Sequence, residues 1–266
     1  MMALLDAAIV LVVLLGCSTL GLLIRPLLSE RHRSREEAEF VQLVLAMLMT
    51  FVALVLGLLT SSVKSSVDKV GNDLKGLAVQ LIQLDRSLRE WGAETQATRE
   101  LLRTYTATSI ATTWTRETNP AGNYYPTQVP TGAGSELESS VTNDMLTRLE
   151  LDIRQLEPRD PMHRRLLTTC IAQFERPMQI HWRLVEQTGS SISVPFYVVL
   201  VFWLAIVFVG FGLTAPRNAL SYTTIALGGL SIASAIFVIL ELDTPFSGFF
   251  TVSSQPTRHA LTHLTQ

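Results

Sequence analysis

Three residue groupings in this chain could carry chemistry. His259 and His263 stand four apart, so a helix would set both imidazoles on one face, within reach of one metal ion. Two ligands do not complete a metal site, and the plainer reading is a pair of solvated histidines in a C-terminal tail. His32, His163 and His181 are isolated, and each is expected to be structural or exposed. Glu241 and Asp243 stand where a long apolar run ends. Ionisable groups at a membrane boundary persist only when paired or wet. Their oxygens could attract a cation; alternatively, Asp243 caps a turn and pairs with a basic side chain. The third grouping is Ala46, Thr50, Ala53, Gly57 and Ser61, ending at Lys64, which recur at helical spacing and share a face. Such a stripe suits close helix packing or the wall of a water-filled pore, and Thr50, Ala53, Gly57 and Ser61 are the pore-lining candidates.

Catalytic signatures are absent. The chain has no His-Glu-x-x-His, no Gly-x-Ser-x-Gly, no phosphate-binding glycine loop and no Cys-x-x-Cys. No catalytic residue, metal or cofactor is expected, and the chain reads as a non-enzyme. A net charge of −2, from 21 basic and 23 acidic residues, gives no basic patch for nucleic acid. Cys17 and Cys170 lie in different kinds of segment, so a disulfide between them is not expected.

The elements that must position these residues are mostly apolar. Of 266 residues, 48% are hydrophobic and only 17% charged, against ~25% in ordinary soluble domains. The apolar residues concentrate in four uncharged runs, 7–24, 40–63, 194–215 and 218–240. About 20 residues of helix cross a hydrocarbon core, and a lipid-embedded backbone must satisfy its own hydrogen bonds, so all four read as transmembrane helices. The first run starts without Lys or Arg and continues well past Cys17, which favours a retained span over a cleaved leader. Runs three and four, joined by Pro216-Arg217-Asn218, must form an antiparallel hairpin. Arg25, Arg31, Arg33, Arg35 and Arg217 sit in the two short connections, whereas Lys64, Lys69, Lys75 and Arg183 flank the spans on the other side. The positive-inside comparison therefore leaves both orientations open.

The expected division is 1–63 for helices 1 and 2, 64–190 for an extramembrane insert, 191–242 for the hairpin and 243–266 for a C-terminal turn and tail. Within the insert, Val63, Val67, Val70, Leu74, Leu77, Leu81, Leu84, Leu88 and Trp91 alternate spacings of four and three. That seven-residue repeat marks one helix continuing out of the second span. Its seam would pack within the chain or between subunits. Gly71 and Gly76 would weaken it locally by roughly 1 kcal/mol each. Further helices are expected over 93–113, 135–156 and 162–185, with a Pro- and Gly-rich loop over 119–135, Pro161 at a first helical position and a kink at Pro177. No strand is expected. The fold class is an all-α integral membrane protein of four transmembrane helices with a long helical insert between helices 2 and 3.

Two stretches carry a family resemblance. Glu36-Glu37-Ala38-Glu39-Phe40-Val41-Gln42-Leu43-Val44-Leu45 leads into Val55-Leu56-Gly57-Leu58-Leu59-Thr60-Ser61-Ser62, and Leu242-Asp243-Thr244-Pro245-Phe246-Ser247-Gly248 is followed by Val252-Ser253-Ser254-Gln255-Pro256. Together with Leu84-Asp85-Arg86 and Leu102-Arg103-Thr104-Tyr105, they resemble a bestrophin-like family of bacterial four-span membrane proteins over essentially the whole chain. Bestrophins are pentameric ion channels. The resemblance implies a homo-oligomer, a pentamer on that pattern, in the bacterial inner membrane. It implies a pore lined by the second helix, an inorganic ion as cargo, and a motif turn marked by Glu241, Asp243, Pro245, Phe246 and Gly248. The chain departs from these patterns in places; a bestrophin layout puts the insert in the cytoplasm, against the charge count of the short connections. Thr244 replaces the Arg of many relatives, and the acidic run that binds calcium after the turn in bestrophins is missing, since 249–256 holds no carboxylate. The alternative function is a non-conducting scaffold or sensor that uses its long helices for assembly or partner contact.

Overall fold

A computed structural model describes residues 2–27, 35–122, 140–187, 194–216, 218–246 and 248–266. Among these the chain is all-helical: α1 (Met2–Ile24), α2 (Arg35–Trp91), α3 (Gln96–Thr113), α4 (Ser140–Arg154), α5 (Pro161–Gln187), α6 (Val194–Thr214), α7 (Ala219–Leu242) and α8 (Gln255–Leu264). No strand occurs among the described residues. Most of the expected 119–135 loop, and the expected start of a helix at 135, lie outside them.

Four helices are long and apolar enough to cross a membrane, namely α1, the first part of α2, α6 and α7. α2 runs unbroken for 57 residues, so the span and the heptad run are one helix, as the lack of an intervening proline allows. It stops at Gly92, whose φ of 122° only glycine adopts readily. Thr95 then caps the end, its hydroxyl donating to the carbonyls of Leu88 (2.5 Å) and Gly92 (2.9 Å).

The chain divides into two compact units. One is Met1–Ser66 with Ser190–Thr244 and Gly248–Phe250; the other is Val67–Gly189 with Pro245–Ser247 and Thr251–Gln266. In the first, Val10, Leu14, Val52, Leu200, Leu204, Phe208 and Ile236 form the core. α1 and α6 cross at Gly21 and Gly212. A Cβ on Gly21 would strike the Val209 carbonyl, and one on Gly212 would strike the Ser18 carbonyl. The backbones therefore touch, the geometry that small residues permit in membranes. On α7, Gly229 and Ala233 are buried against the bundle, whereas Gly228, Ser231 and Ser234 are exposed.

In the second unit the heptad seam is core. Val70, Leu74, Leu81, Leu84 and Leu88 are at most 3% exposed, packed with Leu102, Ile110, Leu149, Ile153, Cys170, Phe174 and Leu184. Of the two readings left open by the repeat, packing within the chain is the one observed. The segment read from sequence as a turn and tail instead holds α8, which buries Thr257, Ala260, Leu261 and Leu264. The Arg103 guanidinium fixes it by donating to the Leu264 carbonyl at 2.6 and 3.1 Å, which satisfies an orphan acceptor at the helix end.

Candidate pore helix and motif turn

Every member of the second-span stripe is exposed: Ala46, Thr50, Ala53, Gly57, Ser61 and Lys64. A Cβ on Gly57 would meet nothing within 4 Å. Close packing against another helix of the same chain is thus not what the stripe does. Thr50 returns its hydroxyl to the Ala46 carbonyl at 3.0 Å, leaving the oxygen's lone pairs outward. On a helical wheel of about 100° per residue, the buried residues Leu45, Val52 and Val63 mark one direction. The stripe lies roughly 80–160° from it, and exposed Phe40, Leu43, Met47, Leu54 and Leu58 lie roughly 160–240° from it. The helix thus carries a seam bound to its own bundle, a small polar stripe and a large apolar ridge, and among the described residues the last two are exposed.

The motif turn closes the fourth span. Glu241 is 2% exposed, and its carboxylate accepts the backbone N–H of Phe249. A Cβ on Gly248 would strike that carboxylate, which is why glycine fits there. Asp243 is the C-cap of α7, its N–H donating to the carbonyls of Ile239 and Glu241. Thr244 donates its hydroxyl to the Glu241 carbonyl at 3.2 Å. In the second unit, the Phe246 ring meets Trp114 edge-on at 5.7 Å, the Val252 N–H donates to the Pro245 carbonyl at 2.8 Å, and Trp114 Nε1 donates to the Val252 carbonyl at 2.7 Å. The Glu241 carboxylate is thus bonded within the turn, whereas Asp243 contributes its backbone N–H to the helix end.

His259 and His263 do share one face of α8, with ring centroids 4.7 Å apart, and both are exposed. No group of three metal-ligating side chains occurs among the described residues. His163 is partly buried, and His181 is buried. His32 lies outside the described residues.

Sequence reasoning passed over Trp114, whose indole ties the α3 end to the segment after the motif turn. Only the rarity of tryptophan (four in the chain) pointed to it. It also gave no role to Asp85, which is buried and ion-paired with Arg99 (2.7 Å) and Arg89 (3.1 Å). Nor did it see Glu117, which accepts from Ser254 and Arg258 and pins the start of α8.

The Bestrophin-like domain matches residues 11–257, and the chain belongs to that family. Solved structures share the fold over nearly its whole length. A bacterial bestrophin homologue from Klebsiella pneumoniae, in a singly substituted form, aligns over 98% of this chain and 100% of its own, with a TM-score of 0.67 and 15% identity. Another substituted form aligns over 97% of each chain at 0.65 and 13% identity. A structure described as a membrane protein covers 97% of this chain and 96% of its own at 0.65 and 14% identity. No curated protein matches the sequence.

Proposed function

We propose that the protein is the subunit of a homo-oligomeric, bestrophin-like ion channel of the bacterial inner membrane, with the α2 stripe facing a central pore. One observation carries this reading: among the described residues, Thr50, Ala53, Gly57 and Ser61 form an exposed face beside an equally exposed apolar ridge. A single subunit has too few polar groups in its spans to enclose a water path. A ring turns the stripe to the axis and buries each ridge against a neighbour, where apolar helix surfaces pack. Residues 1–63 and 191–242 then supply the membrane part, 64–190 the aqueous insert and 243–266 the turn and its docked helix. Transport of an inorganic ion fits a chain without catalytic signatures. With no carboxylate over 249–256 and the Glu241 oxygen engaged by Phe249, a calcium clasp at this turn is not part of the reading.

The test pairs mass with flux. A pentamer in detergent, and liposome ion flux that falls at least about tenfold in Thr50→Leu with Ser61→Leu, are expected, because apolar constrictions block hydrated ions. Unaltered flux in that variant overturns the pore assignment. The alternative, a non-conducting scaffold or sensor using its long helices for assembly or partner contact, loses its coiled-coil version, because that seam is buried inside the chain.

A further inference from the structure

His181 sits inside the insert at 2% exposure, on α5, with Nδ1 3.3 Å from the Tyr105 hydroxyl of α3. Its Nε2 is buried without a hydrogen-bond partner. Neither neutral tautomer repairs this, because Tyr105 reaches only Nδ1 and Nε2 is left as a bare donor or a bare acceptor. The imidazolium would be worse placed, with two N–H groups, one of them buried and unmatched. One turn earlier, Pro177 lies within the same helix. Proline has no N–H, so the Gln173 carbonyl loses its helical donor and α5 is weakest there. Around it, Leu81, Leu102, Tyr105, Phe174, Pro177 and Met178 line a space too small for more than about one water molecule.

From α3 the facing titratable group is Tyr105, itself pushed up to about 12 by burial and so neutral throughout the relevant range. Two residues along α5, Arg183 pairs with Asp73 of α2 at 3.5 Å. Burial is what drives the His181 pKa below the ordinary 6.5. A group depressed in the folded state keeps its full stabilising effect above its unfolded pKa and loses it as pH falls toward the folded value.

We propose that His181 is a proton-operated latch on the Pro177 hinge: neutral, it holds the C-terminal part of α5 against α2 and α3; protonated, it leaves its pocket and α5 opens at Pro177.

Trp182 supplies a local readout, since its ring lies 5.6 Å from the imidazole and is partly exposed. The full-length protein in detergent is taken from about pH 7.5 to about pH 5, the range over which histidine charges. The Trp182 signal is the fluorescence lost in Trp182→Phe. It is expected to change reversibly with a midpoint below 6.5, and amide exchange over 178–187 is expected to rise by at least about tenfold over the same range. Both changes should vanish in His181→Gln and in His181→Phe, the second variant serving if the first does not fold. Pro177→Ala should keep the fluorescence midpoint and lose the exchange increase. An unchanged pH profile in either His181 variant, or exchange over 178–187 that does not respond to pH in the wild type, overturns the latch.

Discussion

The carboxylate of Glu241 accepts the backbone N–H of Phe249, and the chain can return this closely because Gly248 offers no Cβ to the carboxylate between them. A Cβ at Gly248 would strike the Glu241 carboxylate oxygen, so glycine is needed there on steric grounds. Gly248→Ala is therefore expected to cost about 1–3 kcal/mol through overpacking. Glu241→Ala is expected to cost about 1–2 kcal/mol by leaving a part-buried N–H without its charged acceptor. The double variant should lose less than the sum, since removing the carboxylate makes room for the new methyl group. Thermal unfolding of the four proteins in one detergent reads this cycle. Strict additivity would mean that the two residues do not meet.

Asp85 tests the insert. Its side chain is 6% exposed and carries two guanidinium partners, Arg99 from α3 at 2.7 Å and Arg89 from its own helix at 3.1 Å. Breaking a buried pair from one side leaves a stranded charge, so Asp85→Ala and Arg99→Ala should each cost about 3–5 kcal/mol. Arg89 is 49% exposed and surplus to the inner contact. Arg89→Ala should cost no more than about 1 kcal/mol. Urea melts of the three variants give the order. Equal losses for Arg89 and Arg99 would mean that burial is not what distinguishes them.

The α1–α6 crossing makes a sharper steric prediction. A Cβ on Gly212 would collide with the backbone at Ser18 and approach Gly21 Cα to 3.0 Å. Backbone cannot step aside as a side-chain end can, so Gly212→Ala should separate the helices and lower the yield of folded, membrane-inserted protein severalfold. Gly16 and Gly57 have open space at the Cβ position, and Gly16→Ala and Gly57→Ala should be tolerated. Detergent-solubilised size-exclusion profiles separate the two cases. A monodisperse Gly212→Ala protein at wild-type yield would contradict the crossing.

These contrasts show what the sequence made legible. Runs such as 40–63 disclose spans because solvation by lipid depends on local composition, and the four-three spacing from Val63 to Trp91 discloses a seam because helical periodicity is local too. The four glycines just named look alike in sequence, however, and only the partner helix decides which of them bears a backbone contact. The docking of α8 was hidden for the same reason. Arg103 and the Leu264 carbonyl lie 161 residues apart, and no short-range pattern announces such a cap. At the candidate site, the stripe on α2 was readable as a face, but its lack of cover within the chain is a property of tertiary packing. The histidine pair in α8 was likewise readable as one face, whereas the buried His181, isolated in sequence, gave no sign of its Tyr105 partner.

Cys170 offers a test of α5 packing that depends on pH. The side chain is fully buried, and its thiol is pushed up from 9.0 to about 11, chiefly by burial with help from the Glu90 charge. Only the thiolate attacks an alkylating reagent. Near pH 8 a shift of that size alone cuts the thiolate fraction about 100-fold, and steric exclusion slows the reaction further. In a Cys17→Ser background, iodoacetamide labelling of the folded protein should therefore run at least about 100-fold slower than labelling after denaturation in SDS. Because the folded pKa is raised, the buried thiol stabilises the fold fully below about 9, and that contribution fades as pH climbs toward about 11. Labelling should accelerate across the same alkaline window. A labelling rate equal to that of the denatured chain near pH 8 would show that α5 is not packed as described, and would remove the enclosed setting that the His181 latch requires.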